Sequence, residues 1–357
     1  MLYIKPQKIE GDEVDIKELL FGLTDTYGVS GAEENAGAFA LARLRSYTKD
    51  AYIDSFGSVI GKIGVHSKDK PTLLLDAHLD EIGMIVTYID EKGFVKVGNC
   101  GGLDRRLLLA QQVCIHGRQP VPGVICSKPP HLLSDEEKKK APEVAEIAID
   151  TGYSKEQLEG LISLGDRITF HAVNRELLNG RVSGKSFDDR SGVAAILMAL
   201  DLLQTEGELP FNLTVLFSSQ EEVGERGAHI AAFDIAPDYA VAVDVSFGLT
   251  SDSPEDKCGE MGKGGMIGIS PSLNRAMSDR LIALAKEKEI PYQIEIMPEL
   301  TGTNADVIAV TKGGVRAVTL SIPLRYMHTP IETIVLSDLE AVARLLCVFA
   351  KEGMNHA

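Results

Sequence analysis

Two glutamates, Glu221 and Glu222, stand side by side in Ser218-Ser-Gln-Glu-Glu-Val-Gly224, directly after the apolar run Leu213-Thr-Val-Leu-Phe217. The run reads as a buried parallel strand, and the pair falls where that strand should end. Sites in open α/β sheets collect at the carboxyl ends of strands. Adjacent carboxylates there repel and are costly to desolvate unless a cation sits between them and other ligands. One glutamate can then hold a metal while the other takes a proton from a metal-bound water. A solvated loop end is the plain alternative, and the rest of the chain weighs against it.

Four further segments supply the partners. Asp76-Ala-His78-Leu-Asp80-Glu-Ile-Gly83 follows the strand-like Thr72-Leu-Leu-Leu75. In extended chain His78 and Asp80 point to one side, so Asp80 can orient the imidazole and raise its basicity. Lys185-Ser-Phe-Asp188-Asp189-Arg190-Ser-Gly192 opens a helix pattern. One aspartate there would be explained by capping. Two offer a spare carboxylate: Asp188 can bridge two cations, and Asp189 can pair locally with Arg190. Asp244 closes the apolar run Tyr239-Ala-Val-Ala-Val243. Buried there, it needs a cation or a salt-bridging Arg or Lys. His328 lies in Arg325-Tyr-Met-His328-Thr-Pro-Ile-Glu332, a loop by its proline.

Together these place His, Asp, Glu, Asp and His at successive strand ends, with Glu221 to spare. Carboxylates and imidazoles without thiolate suit zinc, cobalt or manganese. Five protein ligands suit two cations sharing a bridging carboxylate, an arrangement that supports hydrolysis.

The elements that must position these residues are legible as β/α alternation. Helical patterns occupy Val14–Tyr27, Glu33–Tyr47, Gly192–Leu203 and Met277–Lys288. A last one opens at Ser337-Asp-Leu-Glu340 with capping-box spacing and runs to about Lys351. Strand-like runs fall at Ser58–Val65, Thr72–Ala77, Leu213–Ser218, Tyr239–Val245, Gln293–Met297 and Ala317–Ile322. The expected fold is α/β, a mostly parallel sheet flanked by helices. Between Met84 and Phe170 the pattern changes to short β-type runs punctuated by Gly and by Pro120, Pro122, Pro129 and Pro130. A small β-rich domain, residues 84–170, is expected as an insert in a discontinuous catalytic domain of residues 1–83 and 171–357. The charged run Asp135-Glu-Glu-Lys-Lys-Lys140 reads as a solvated loop. Gly259-Glu-Met-Gly-Lys-Gly-Gly265 lacks the spacing of a phosphate cradle and reads as a flexible loop near the cleft.

With 357 residues, 44% hydrophobic and 25% charged, the composition is that of a globular protein with a large core. A net charge of −16 argues against nucleic acid or an anionic membrane as partner. Five scattered cysteines without a C-x-x-C pair form neither a disulfide framework nor a thiolate zinc site and fit a reducing compartment. Neither a signal peptide nor a membrane span is evident, so a cytoplasmic location is expected.

The ordered set Ala-His-x-Asp-Glu-Ile-Gly, Phe-Asp-Asp-Arg, Gln-Glu-Glu-Val-Gly, Asp-Val and His-Thr-Pro resembles the M42 family of metallo-aminopeptidases in the wider MH clan. The likeness extends through the insert, at Gly101-Gly-Leu-Asp-Arg105 and Gly123-Val-Ile-Cys-Ser-Lys-Pro-Pro-His-Leu-Leu133. The resemblance implies that His78 and Asp244 bind one metal, that Glu222 and His328 bind the other, and that Asp188 bridges them. It makes Glu221 the general base and Asp80 the orienting partner of His78. It further implies two divalent ions, zinc first, peptide substrates with a free N-terminus, and dimers that assemble into dodecamers through the insert. One position departs: Asn304, in Thr301-Gly-Thr-Asn304-Ala-Asp306, stands where many relatives carry Asp near the substrate pocket. A deacylase on the same centre is the runner-up activity, and a non-catalytic assembly protein a third reading. Some relatives are labelled endoglucanases, but the chain has no Trp to serve as a sugar platform.

Overall fold

The computed structural model describes residues 15–203 and 208–354. Val14 and the first ten residues, on which two sequence expectations fall, lie outside that range.

An eight-stranded sheet forms the centre. Its order is Ala51–Ile53, Val59–Ile63, Asn212–Ser218, Thr72–His78, Tyr239–Phe247, Arg316–Leu324, Gly265–Ile269, Tyr292–Ile296. The middle four strands run parallel to one another, and the last two are parallel to each other. The remaining pairings are antiparallel, so the sheet is mixed rather than uniformly parallel. The central strands lack polar–apolar alternation because both faces are covered. Along Thr72–His78, Leu73, Leu75 and Ala77 face one apolar layer while Leu74 faces the other. The first layer is built on helices Ile16–Thr24, Phe187–Leu203, Arg275–Glu287 and Leu336–Glu352, the second on Arg226–Ile235 and Ala305–Ala309. Each fully buried leucine contributes about 1.5–3 kcal/mol relative to exposure.

Six strands between Gly83 and Phe170 close into a barrel, with its own aliphatic core around Val86, Ile115, Ile149 and Ile168. The barrel grows directly out of the chain that follows His78. It is seated on the main body by stacking of His116 on Tyr27, ring centroids 3.7 Å apart, and by Arg167 Nε donating to the Ser30 carbonyl at 3.0 Å. Among the described residues no helix is long and apolar enough to cross a membrane.

Several local expectations are corrected. The last helix starts at Leu336, and no side chain caps it. Asp338 instead turns to accept from Gly262 N and Gly264 N, both at 2.7 Å, so the glycine-rich loop is tethered rather than free. Helix Arg226–Ile235 and strand Gly265–Ile269 were not anticipated. The helix buries only Gly227, Ala228, Ala231 and Ala232, too small a stripe to stand out as apolar periodicity.

Candidate metal centre

The sheet delivers the predicted residues to one place. His78 ends its strand and Asp244 lies near the end of the neighbouring one. Glu221 and Glu222 follow strand Asn212–Ser218, and His328 follows Arg316–Leu324. Asp188 comes from the start of helix Phe187–Leu203. There the backbone of Asp188 and Asp189 is not yet helical, and the peptide between them is cis.

The separations are short. His78 Nε2 is 3.0 Å from Asp188 Oδ1, and His328 Nε2 is 3.2 Å from Asp188 Oδ2. His328 Nε2 is also 3.2 Å from Glu222 Oε1. Asp188 therefore presents one oxygen to each imidazole. Donor atoms of His78, Asp188 and Glu222 lie within 4.8 Å of one another, as do those of His78, Asp189 and Asp244. Donors about 3 Å apart fit ions that bind nitrogen and oxygen at about 2.0–2.2 Å.

Glu221 differs from its neighbour. Its Oε2 stands 4.0 Å from His78 Nε2, beyond hydrogen-bond reach. Its backbone N–H and that of Glu222 both donate to the Asp80 carboxylate, at 2.9 and 3.1 Å, and Ser30 Oγ donates to the same group at 2.6 Å. Asp80 also faces His78 Nδ1, with its carbonyl at 3.1 Å and Oδ1 at 3.5 Å. One buried aspartate thus holds both the imidazole and the glutamate turn.

The aspartate pair divides its labour differently from the sequence expectation. Asp189 does not pair with Arg190. Its Oδ1 accepts from Gly192 N at 3.0 Å, capping the helix, and its Oδ2 accepts from His78 N at 3.2 Å. Arg190 is fully buried and donates to the carbonyls of Leu79, Leu23 and Thr26. With the cap supplied by Asp189, Asp188 is free to face the two histidines. Asp244 finds no Arg or Lys among the described residues; its Oδ1 accepts only from its own neighbour, Val245 N, at 2.7 Å.

Electrostatics follow from crowding carboxylates in a dry site. Burial, only partly countered by the His78 imidazole, pushes the Glu221 carboxyl up to about 9, with Asp244, Glu222 and Asp80 adding to the rise. Burial raises Asp244 strongly as well. For His328, burial opposes the charged form, but hydrogen bonds to Asp188 and Glu222 prevail and raise the ring to about 11. Burial opposes ionisation of Asp188 too, yet hydrogen bonds from His328 and His78 hold it well below the usual range. Without a cation, the cluster retains protons that a bound metal would displace. A donor set of carboxylates and imidazoles, with Asp244 lacking a cationic partner, fits divalent metal.

Backbone conformation marks the same place. Ser186, Gln220, Tyr326 and His328 have φ of 60, 55, 62 and 62°. Such left-handed non-glycine residues cost about 1–3 kcal/mol each and cluster at functional sites.

The M42 glutamyl aminopeptidase family model matches residues 57–345. The chain belongs to the M42 family. It is 32% identical over 345 residues to lysyl aminopeptidase of Pyrococcus furiosus, covering 94% of this chain and 96% of that one. Among solved structures, an aminopeptidase from the archaeon Desulfurococcus kamchatkensis superposes with TM-score 0.88 at 34% identity, covering 95% of each chain. The TET1 peptidase of Pyrococcus horikoshii, described as assembling into a tetrahedron or a large octahedral shell, matches with TM-score 0.83 at 31% identity. That match covers 95% of this chain and all of the other.

Two M42 positions acquire a meaning only in the fold. Asn304 is 2% exposed. Its amide donates to Asp76 Oδ2 and Ser218 Oγ, both at 2.8 Å, bracing the strands beneath the site. Burial raises Asp76 to about 7, against the hydrogen bonds from Asn304 and Ser218. Glu332, four residues after His328, was passed over in the sequence and is fully enclosed. Its only sequence signal is a carboxylate opening a short strand that ends in Ile334 and Val335.

Proposed function

We propose that this M42 aminopeptidase removes N-terminal residues from peptides at a two-cation centre. His78 and Asp244 would hold one ion, Glu222 and His328 the other, and Asp188 would bridge them. Zinc fits the donors, with cobalt and manganese as alternatives. The observation that carries this reading is Asp188 set between two imidazoles, one oxygen to each. Bound cations would supply positive charge that acidifies water and stabilises an oxyanion. Glu221, whose Oε2 stands 4.0 Å from His78 Nε2, takes a proton from the attacking water and returns it to the leaving amine. Asp80 keeps His78 and the Glu221–Glu222 turn in place.

The same reading assigns residues 84–170 to association, with dimers assembling into a dodecamer. A closed particle would admit peptides and exclude folded proteins; an active monomer that degrades folded proteins would contradict this.

The test of activity is release of amine from a panel of aminoacyl-anilides and their N-acetylated counterparts, with chelator-treated protein as control. Metal-dependent cleavage of the free-amine series alone is expected. Cleavage of only the blocked series would move the assignment to a deacylase.

A further inference from the structure

Glu332 sits at the junction of the two chain segments that carry Asp188 and His328. Strand Glu332–Val335 pairs with Arg181–Gly184, and Gly184 lies opposite Glu332. Residues 185–187 lead from there directly to Asp188. The side chain is enclosed, and its acceptors are spent on backbone alone. Oε2 accepts from Phe187 N at 2.7 Å and from Asp188 N at 3.2 Å, and Oε1 accepts from His328 N at 2.9 Å. Three N–H groups from two separate loops thus converge on one carboxylate. The backbone of His328 is left-handed and that of Asp188 non-helical, so neither segment has a regular ladder to hold it there.

We propose that Glu332 is a positioning residue that sets the distance between Asp188 and His328, and thereby builds the second cation position. It touches neither substrate nor the reacting atoms. The carboxylate is the suitable group because both of its oxygens accept, whereas an amide offers one acceptor and one donor. In Glu332→Gln, an amide oxygen kept on Phe187 and Asp188 turns the NH2 against His328 N–H. The His328 loop would be released while Asp188 stays. Partners that orient a metal ligand from behind are worth about 10–100-fold in affinity.

This rests on the two-cation reading, and the experiment separates the two. Chelator-stripped full-length protein is titrated with Co2+, followed by visible absorption and by calorimetry. The wild type is expected to take up two equivalents. Glu332→Gln should keep the first and bind the second about 10–100-fold more weakly, with the metal-free melting profile little changed. The double variant with His328→Ala should lose no more second-site affinity than His328→Ala alone, because Glu332 acts through His328. Should Glu332→Gln fold poorly, Glu332→Asp applies the same test, since the shorter carboxylate cannot span both loops. Two equivalents bound by a folded variant with wild-type affinity would overturn the role, as would equal weakening of both ions. Fewer than two equivalents in the wild type would instead remove the two-cation reading itself.

Discussion

The α/β body and the barrel bury polarity by opposite rules. The barrel core is apolar throughout, mostly aliphatic with Phe170 and Met84, and its ion pairs, such as Lys155–Glu91 and Lys128–Glu137, lie on the surface. The α/β body encloses Asp76, Asp80, Asp188, Asp189, Asp244 and Glu332 at and beneath one edge of its sheet. Buried charge without a partner destabilises a fold, so the body carries a cost that the barrel avoids. Helix capping by Asp189 offsets part of that cost, and the proposed metal ligation would offset more. The difference fits the proposed division of duties, with chemistry in the body and association in the barrel. Changes in one region should alter turnover with little loss of stability, and changes in the other the reverse.

The strongest test of that separation is Glu221→Gln. Turnover should fall by about 10²–10⁴-fold, the usual worth of a general acid–base group. Metal content and melting temperature should stay near wild type. Turnover at the wild-type rate would remove Glu221 from the proton-transfer role.

The reciprocal change is Ile149→Ala in the barrel. It should cost about 2–5 kcal/mol in unfolding free energy. The rate per metal-loaded folded molecule should be unaltered, as read from denaturant melts beside initial rates. A matched loss of specific activity would mean that the two regions are not separable.

Melting curves with and without metal provide a third comparison. The folded-state values of Glu221 and His328 are raised to about 9 and about 11, from ordinary values of 4.5 and 6.5. Above their ordinary values the folded metal-free protein holds protons that the unfolded chain has released. Its stability should therefore fall as pH climbs through this window. Asp188, displaced downward, acts only on the acid side and does not oppose the trend. The gap in melting temperature between metal-loaded and metal-free protein should thus widen from about pH 6 to about pH 9. A constant gap would count against a proton-retaining metal site.

The smallest effect is expected from Asn304→Asp. It sets a second carboxyl against Asp76 and removes two amide hydrogen bonds. A loss of about 1–3 kcal/mol is expected near pH 8, and less near pH 5, where one proton can be shared. A shift in residue preference on the anilide panel, with unchanged stability, would return Asn304 to the substrate pocket.

Much of this organisation was legible along the chain. His78, Glu221, Glu222 and Asp244 could be picked out because they stand at or just past the ends of apolar runs, Asp188 because it is one carboxylate more than a helix start needs, and His328 because it lies in a loop after an apolar run. The central strands were legible because burial on two faces leaves continuous hydrophobic stretches such as Leu73 to Leu75. Helix Arg226–Ile235 was not, since its buried stripe of one glycine and three alanines carries little apolar signal, and strand Gly265–Ile269 has only five residues, two of them glycine. The spacing around Ser337 suggested a cap, yet Asp338 found better donors in Gly262 and Gly264.

The sequence by itself determined which side chains are brought to the strand ends, because strand and helix periods are local and the motifs lie at their boundaries. It also determined the change to short β runs after Met84. Only the tertiary structure decided how the acidic residues share the work. Asp189 caps while Asp188 bridges the histidines, Asp80 ties His78 to the Glu221–Glu222 turn, and Glu332 clasps two loops 144 and four residues away from it in the chain. Those assignments depend on which backbone N–H groups remain unpaired once the elements have packed. Local pattern does not encode that, because the donors come from segments far apart in sequence.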